Sequence, residues 1–155
     1  MNRWITTSRP KTLTAALSPV ILGSALAYHE GNFNIITFIF IAIAASLIQI
    51  GTNYSNDLFD YLKGTDNKNR LGPNRAMQNG LLSLEEIKRA IIIIFILAIF
   101  FYFYLALLGG WIIVSIGLLS IFFGIIYTGG PYPLAYNGLG DVFVFIFFGL
   151  VAVSG

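Results

Sequence analysis

The sequence contains no cysteine and a single histidine, His29. Disulfides, thiolate nucleophiles and cysteine-ligated metals are excluded, and one histidine cannot form the cluster that zinc or iron requires. A metal held by this chain needs oxygen ligands, which favours Mg²⁺, Ca²⁺ or Mn²⁺. Charge is scarce too. Only 10% of the 155 residues are Asp, Glu, Lys or Arg, against about 25% in a soluble domain. In their place 57% are hydrophobic, and the mean hydropathy is +0.80. This composition belongs to a polytopic membrane protein whose medium is the lipid bilayer. The net charge of +2 says less than where the charges lie, and no nucleic-acid partner is expected.

Long apolar runs without strand-like alternation predict an all-α transmembrane bundle, not a barrel. Spans are expected at 13–28, with Pro19 inside, then 33–52, 90–108 and 111–127, with a fifth beginning near Asp141. A helical crossing takes about 20 apolar residues, so the first span should extend into its flanks. Leu108-Gly109-Gly110 reads as the turn between the third and fourth. Ser83-Leu84-Glu85-Glu86 reads as a capping box that starts the third. The fifth ends at Gly155 without a polar flank. A terminal carboxylate in or near hydrocarbon is costly, so the sequence reads as the front part of a longer single domain and is expected to be inactive alone.

All nine Lys and Arg residues fall in two places: Arg3, Arg9 and Lys11 ahead of the first span, and the other six between the second and third. The positive-inside rule then puts the N-terminus and the 53–89 loop in the cytoplasm. The expected location is the cytoplasmic (inner) membrane of a bacterium. Arg3, Arg9, Lys11 and the Ala25-Leu26-Ala27 stretch also resemble a signal peptide, but Pro19 does not suit its apolar core.

The stretch "NDLFDYLKGTD", residues 56–66, places three carboxylates directly after the uncharged second span. Asp57 and Asp60 are three apart and share a helix face. Two neighbouring carboxylates repel unless a cation lies between them. Gly64 is expected to end the helix and let Asp66 turn back toward the pair, with Asn53 and Asn56 adding neutral oxygens. Such an oxygen-rich cup suits a hard cation, and Mg²⁺ leaves room for phosphate oxygens. In "RLGPNRAMQNG", residues 70–80, Arg70 and Arg75 lie on a turned loop. The forked donors of arginine match diphosphate oxygens. Arg75, after the Gly-Pro-Asn turn, is the stronger candidate, while Arg70 reads first as a topological charge. A solvated helix end remains the plainer account of the acids alone. If a diphosphate is held here, its lipid tail would lie between the helices.

These stretches, with "RPKTLTAALSPVILGSALA" at 9–27 and "YTGGPYPLAYNGLGDVFVFIFFGLVAVSG" at 127–155, resemble the UbiA-type superfamily of intramembrane aromatic prenyltransferases, in its menaquinone branch. The resemblance implies an all-helical bundle of about nine spans around a cavity open to lipid. It implies Mg²⁺-dependent transfer of a polyprenyl group from polyprenyl diphosphate to 1,4-dihydroxy-2-naphthoate. It also implies two acidic motifs, the first being Asn56, Asp57, Asp60 and Asp66; the second has no match in 81–155. Asp57 and Asp60 take the catalytic metal-binding roles, with Asp66 as a third acid at the spacing of the menaquinone branch. Tyr127 stands where the superfamily has a tyrosine near the diphosphate, and otherwise reads as an interfacial aromatic. Arg9 and Lys11 are candidates for the acceptor carboxylate or the diphosphate, or are topological charges. Two other readings stay open: a different aromatic acceptor, and a non-catalytic cation-binding membrane protein.

Overall fold

The computed structural model describes residues 2–64, 75–151 and 153; of Phe148 it describes the backbone only. Every regular element among them is helical: α1 (Arg3–Ser8), α2 (Pro10–His29), α3 (Ile35–Leu62), α4 (Leu84–Ile126) and α5 (Gly140–Val144). A 3₁₀ turn at Leu134–Tyr136 precedes α5, and a π-helical stretch, Phe145–Val151, continues it. Three helices, α2, α3 and α4, are long and apolar enough to cross a membrane, and Gly140–Val151 is a shorter apolar helix. The chain is therefore an integral membrane protein.

The ends of these helices follow local chemistry. Asn34 accepts from the Ile36 and Thr37 amides and starts α3. Lys63 closes it, and Gly64 follows in the left-handed region at φ 64°. The span was expected over 33–52, and the helix carrying the acids was expected to end at Gly64; the two are one continuous helix that ends at Leu62. Ser83 and Glu86 form the expected capping box at the start of α4.

The 43 residues of α4 include the third and fourth expected spans. A straight helix of that length would run about 65 Å, twice the ~30 Å hydrocarbon core. At Gly110 the backbone adopts φ 67°, ψ −159°, a combination open essentially to glycine alone. The two halves then fold against each other. Tyr102 from the first half lies over Gly117 of the second, where a Cβ would come within 2.6 Å of the ring. Along a straight helix those residues would be about 22 Å apart.

Little of the apolar length is buried. In lipid nothing drives a leucine away from its surroundings, so packing is selective. The continuous core lies instead at the polar end of the bundle, where Tyr54, Leu58, Ala76, Met77, Leu82 and Ile87 pack together. Tyr54 donates to the Trp4 carbonyl at 3.0 Å and stacks on its ring, and Arg3 bonds Glu86 at 2.8 Å. These contacts hold α1 across the ends of α3 and α4.

A candidate acidic site at the mouth of an apolar cavity

Asn53, Asn56, Asp57 and Asp60 stand at helical positions i, i+3, i+4 and i+7, which superimpose on one face. That face is turned inward: Asp57 is 1% exposed and Asp60 4%. Carboxylates this deep need charge compensation. It comes from Arg75, at the start of a turn closed by bonds from Asn79 N to Arg75 O and from Gly80 N to Met77 O. Arg75 Nη2 pairs with Asp60 Oδ2, and Nη1 lies 3.9 Å from Asp57 Oδ1. The same Nη1 donates to the Asn56 carbonyl at 2.9 Å, and the Met77 amide donates to Asp57 Oδ2 at 3.3 Å. One guanidinium thus lies between both acids and the helix that carries them.

A second segment closes the site from the far end of α4. Thr128 donates its hydroxyl to Asn56 Oδ1 at 2.7 Å. Lys63 Nζ donates to the carbonyls of Thr128, at 2.7 Å, and Gly130, at 3.3 Å. The same ammonium lies 5.2 Å from the centre of the Tyr136 ring. The Tyr136 hydroxyl donates to Asp60 Oδ1. Lys63, Thr128 and Tyr136 were not singled out in the sequence as binding residues. The signal available for them was the turn-rich run Gly129-Gly130-Pro131-Tyr132-Pro133, which folds the chain sharply enough to return it to α3.

Asn53 faces a different partner set. Its amide donates to Ser8 O and Thr12 Oγ1, both at 2.8 Å, which joins α3 to the break between α1 and α2. Arg9 forms that break at φ 49°, and its side chain is half-buried there. Lys11 is exposed on the first turn of α2. Tyr127 ends α4, accepts from Ala135 N at 2.9 Å, and lines the cavity below. Asp66 and Arg70 lie outside the described residues.

Asn56, the neighbour of Asp57, lines a cavity of about 680 Å³. Val20, Ile41, Ile48, Leu105, Ile116 and Phe147 are among its apolar walls, while Thr12, Gln49, Asn56 and Tyr127 mark its polar end. The arrangement can hold an anionic head at the acids, through a cation, with an apolar tail between the helices. Among the described residues no three acids, histidines or cysteines group to hold a metal. Asp57 and Asp60 do offer two hard oxygen donors on one helix face, and Mg²⁺ commonly takes one or two carboxylates plus water and phosphate oxygens.

A helical membrane protein with paired, buried carboxylates next to a residue that lines an apolar cavity is the class these elements define. Residues 16–155 match the UbiA prenyltransferase family, and the chain belongs to that family. Among its relatives are the 1,4-dihydroxy-2-naphthoate octaprenyltransferases of Escherichia coli, 39% identical over 98% of this chain and 51% of the relative, and of Mycobacterium tuberculosis, 35% identical over 99% and 52%. The UbiA prenyltransferase domain-containing protein 1 of Danio rerio is 34% identical over 94% of this chain and 44% of its own length. The chain thus spans about half the length of the relatives it matches. No solved structure matches it significantly.

Proposed function

We propose that the whole protein transfers a polyprenyl group from polyprenyl diphosphate to 1,4-dihydroxy-2-naphthoate, as a step of menaquinone biosynthesis. The observation that carries this reading is the Arg75 guanidinium held by Asp57 and Asp60, directly after Asn56, which lines an apolar cavity. The relatives named for this reaction, similar along nearly the whole chain, support the choice of acceptor.

In this reading Asp57 and Asp60 would hold Mg²⁺, with Asp66 as a third ligand. Such an ion would supply neutralisation of the diphosphate charge. The allylic C–O bond breaks, and its electron pair leaves with the diphosphate. Arg75 donates its forked N–H groups to the diphosphate oxygens. Asn56 and Tyr127 border the head group, and Asn53 fixes the wall beside it. Arg9 and Lys11 supply positive charge toward the acceptor carboxylate. The cavity walls exclude water from the electron-poor prenyl carbon. The ring carbon bearing the carboxylate forms the new C–C bond. Carbon dioxide then departs and leaves its bonding pair to restore the aromatic ring. Residues 53–82 face the cytoplasm, where a soluble acceptor reaches the site.

The test is prenyl transfer by the full-length protein with Asp57→Ala and Asp60→Ala. Both variants are expected to insert normally and lose transfer. Near-normal turnover in both would remove the acids from the chemistry. Offering 4-hydroxybenzoate beside dihydroxynaphthoate decides the acceptor, since faster transfer to the benzoate would overturn that assignment.

A further inference from the structure

Asp60 is held by two donors of different kinds. Arg75, a cation, takes Oδ2, and Tyr136, a neutral phenol, takes Oδ1. The two arrive from separate segments. The carboxylate is nearly fully buried, whereas Tyr136 is 47% exposed, so the residue stands at the surface while its hydroxyl reaches inward. Lys63 steadies that ring from one side and holds the loop's Thr128 and Gly130 carbonyls as well.

We propose that Tyr136 is a positioning residue for Asp60, fixing the carboxylate's orientation so that Oδ2 stays available to an incoming divalent cation that displaces Arg75 from it. This rests on the reading of Asp57 and Asp60 as cation ligands. The physical ground is the torsion of an aspartate carboxylate, which is broad and roughly two-fold and needs an external bond to be fixed. A guanidinium that must release its oxygen to the cation cannot supply that bond through the binding event. A phenol on the other oxygen can, because it carries no charge to repel the metal. Partners of metal-binding carboxylates characteristically hold them this way, and losing one typically weakens metal affinity about 10–100-fold.

The experiment titrates Mn²⁺ alone into the full-length protein in lipid nanodiscs and follows the free Mn²⁺ signal by electron paramagnetic resonance. Wild type, Tyr136→Phe, Tyr132→Phe and Asp60→Asn are compared, with the melting temperature of each recorded without metal. Tyr136→Phe keeps the ring over Lys63 and removes only the hydroxyl. Its Mn²⁺ affinity is expected to fall about tenfold at an unchanged metal-free melting temperature, while Tyr132→Phe matches wild type. Wild-type affinity in Tyr136→Phe, with binding lost in Asp60→Asn, overturns the inference and leaves the metal reading standing. A lowered melting temperature with unchanged affinity assigns Tyr136 a structural part only and overturns it as well. No Mn²⁺ binding by wild type overturns both readings together. Should Tyr136→Phe fail to insert, Lys63→Met loosens the same loop while keeping the phenol. Weaker Mn²⁺ binding there supports the proposal, and unchanged binding overturns it.

Discussion

Thr128 and Asn56 are joined by a 2.7 Å hydrogen bond across 72 residues of sequence. The bond ties the turn after α4 to the acidic face of α3, and both partners are buried. Thr128→Val removes the donor and leaves the Asn56 oxygen unsatisfied. Unfolding free energy should drop by about 1–3 kcal/mol, and Thr128→Ser should recover most of it. Denaturant or thermal melts in detergent read this directly. Equal loss in the serine and valine variants would show that the methyl, not the hydroxyl, is what matters.

Arg75 is expected to be a pillar of stability when no metal is bound. Arg75→Met leaves Asp57 and Asp60 buried without their guanidinium, a change that typically costs about 3–5 kcal/mol. A divalent cation can take over that compensation. Millimolar Mg²⁺ should therefore raise the melting temperature of Arg75→Met by more than it raises that of wild type. If Mg²⁺ shifts both equally, the two acids are not a cation site.

Residues 1–155 contain no cysteine, so a single thiol introduced here is the only one in this part of the protein. Asn79 is exposed at the end of the turn that delivers Arg75. Asn79→Cys should react with an impermeant thiol reagent only when the inner membrane face is opened. Lys63, exposed but engaged with the Thr128 and Gly130 carbonyls, is the poorer position for such a probe. Labelling of Asn79→Cys from outside intact cells would reverse the proposed orientation.

Gly110 tests the fold of α4. Its φ 67°, ψ −159° lies outside the left-handed helical region that asparagine tolerates. Gly110→Ala and Gly110→Asn should therefore both destabilise the protein, each by about 1–3 kcal/mol. Rescue by asparagine relative to alanine would mean the turn had relaxed to an ordinary left-handed geometry.

Much of this was legible in the sequence because it depends on local chemistry. The Ser83 capping box, the turn at Gly109-Gly110 and the shared face of Asp57 and Asp60 follow from short-range spacing. The apolar runs give the helices because hydrocarbon leaves the backbone no other partner. The approach of Arg75 to the acids was expected from a turn only a few residues long. The contributions of Tyr136, Thr128 and Lys63 were not legible. Each depends on α4 reversing at Gly110 and bringing residues 127–137 back over α3, a relationship that no periodicity encodes. Asn53 illustrates the same limit. Its spacing groups it with the acids, but its amide is taken up by Ser8 and Thr12 at the helix break that Arg9 creates.

The clasp between Tyr136 and Asp60 spans 76 residues, and that separation has a meaning during synthesis. Ribosomes extend a chain at about 5–20 residues per second, so the phenol emerges some 4–15 seconds after the carboxylate it will bind. Arg75 emerges much sooner and can neutralise the acids while the later helices are still being made. The site is thus assembled in two instalments: an early electrostatic one that keeps α3's acidic end out of the lipid, and a late one that waits for α4 to turn back. A nascent chain arrested between Arg75 and Tyr136 should already protect the 75–80 turn from protease while leaving the acidic pocket unsealed.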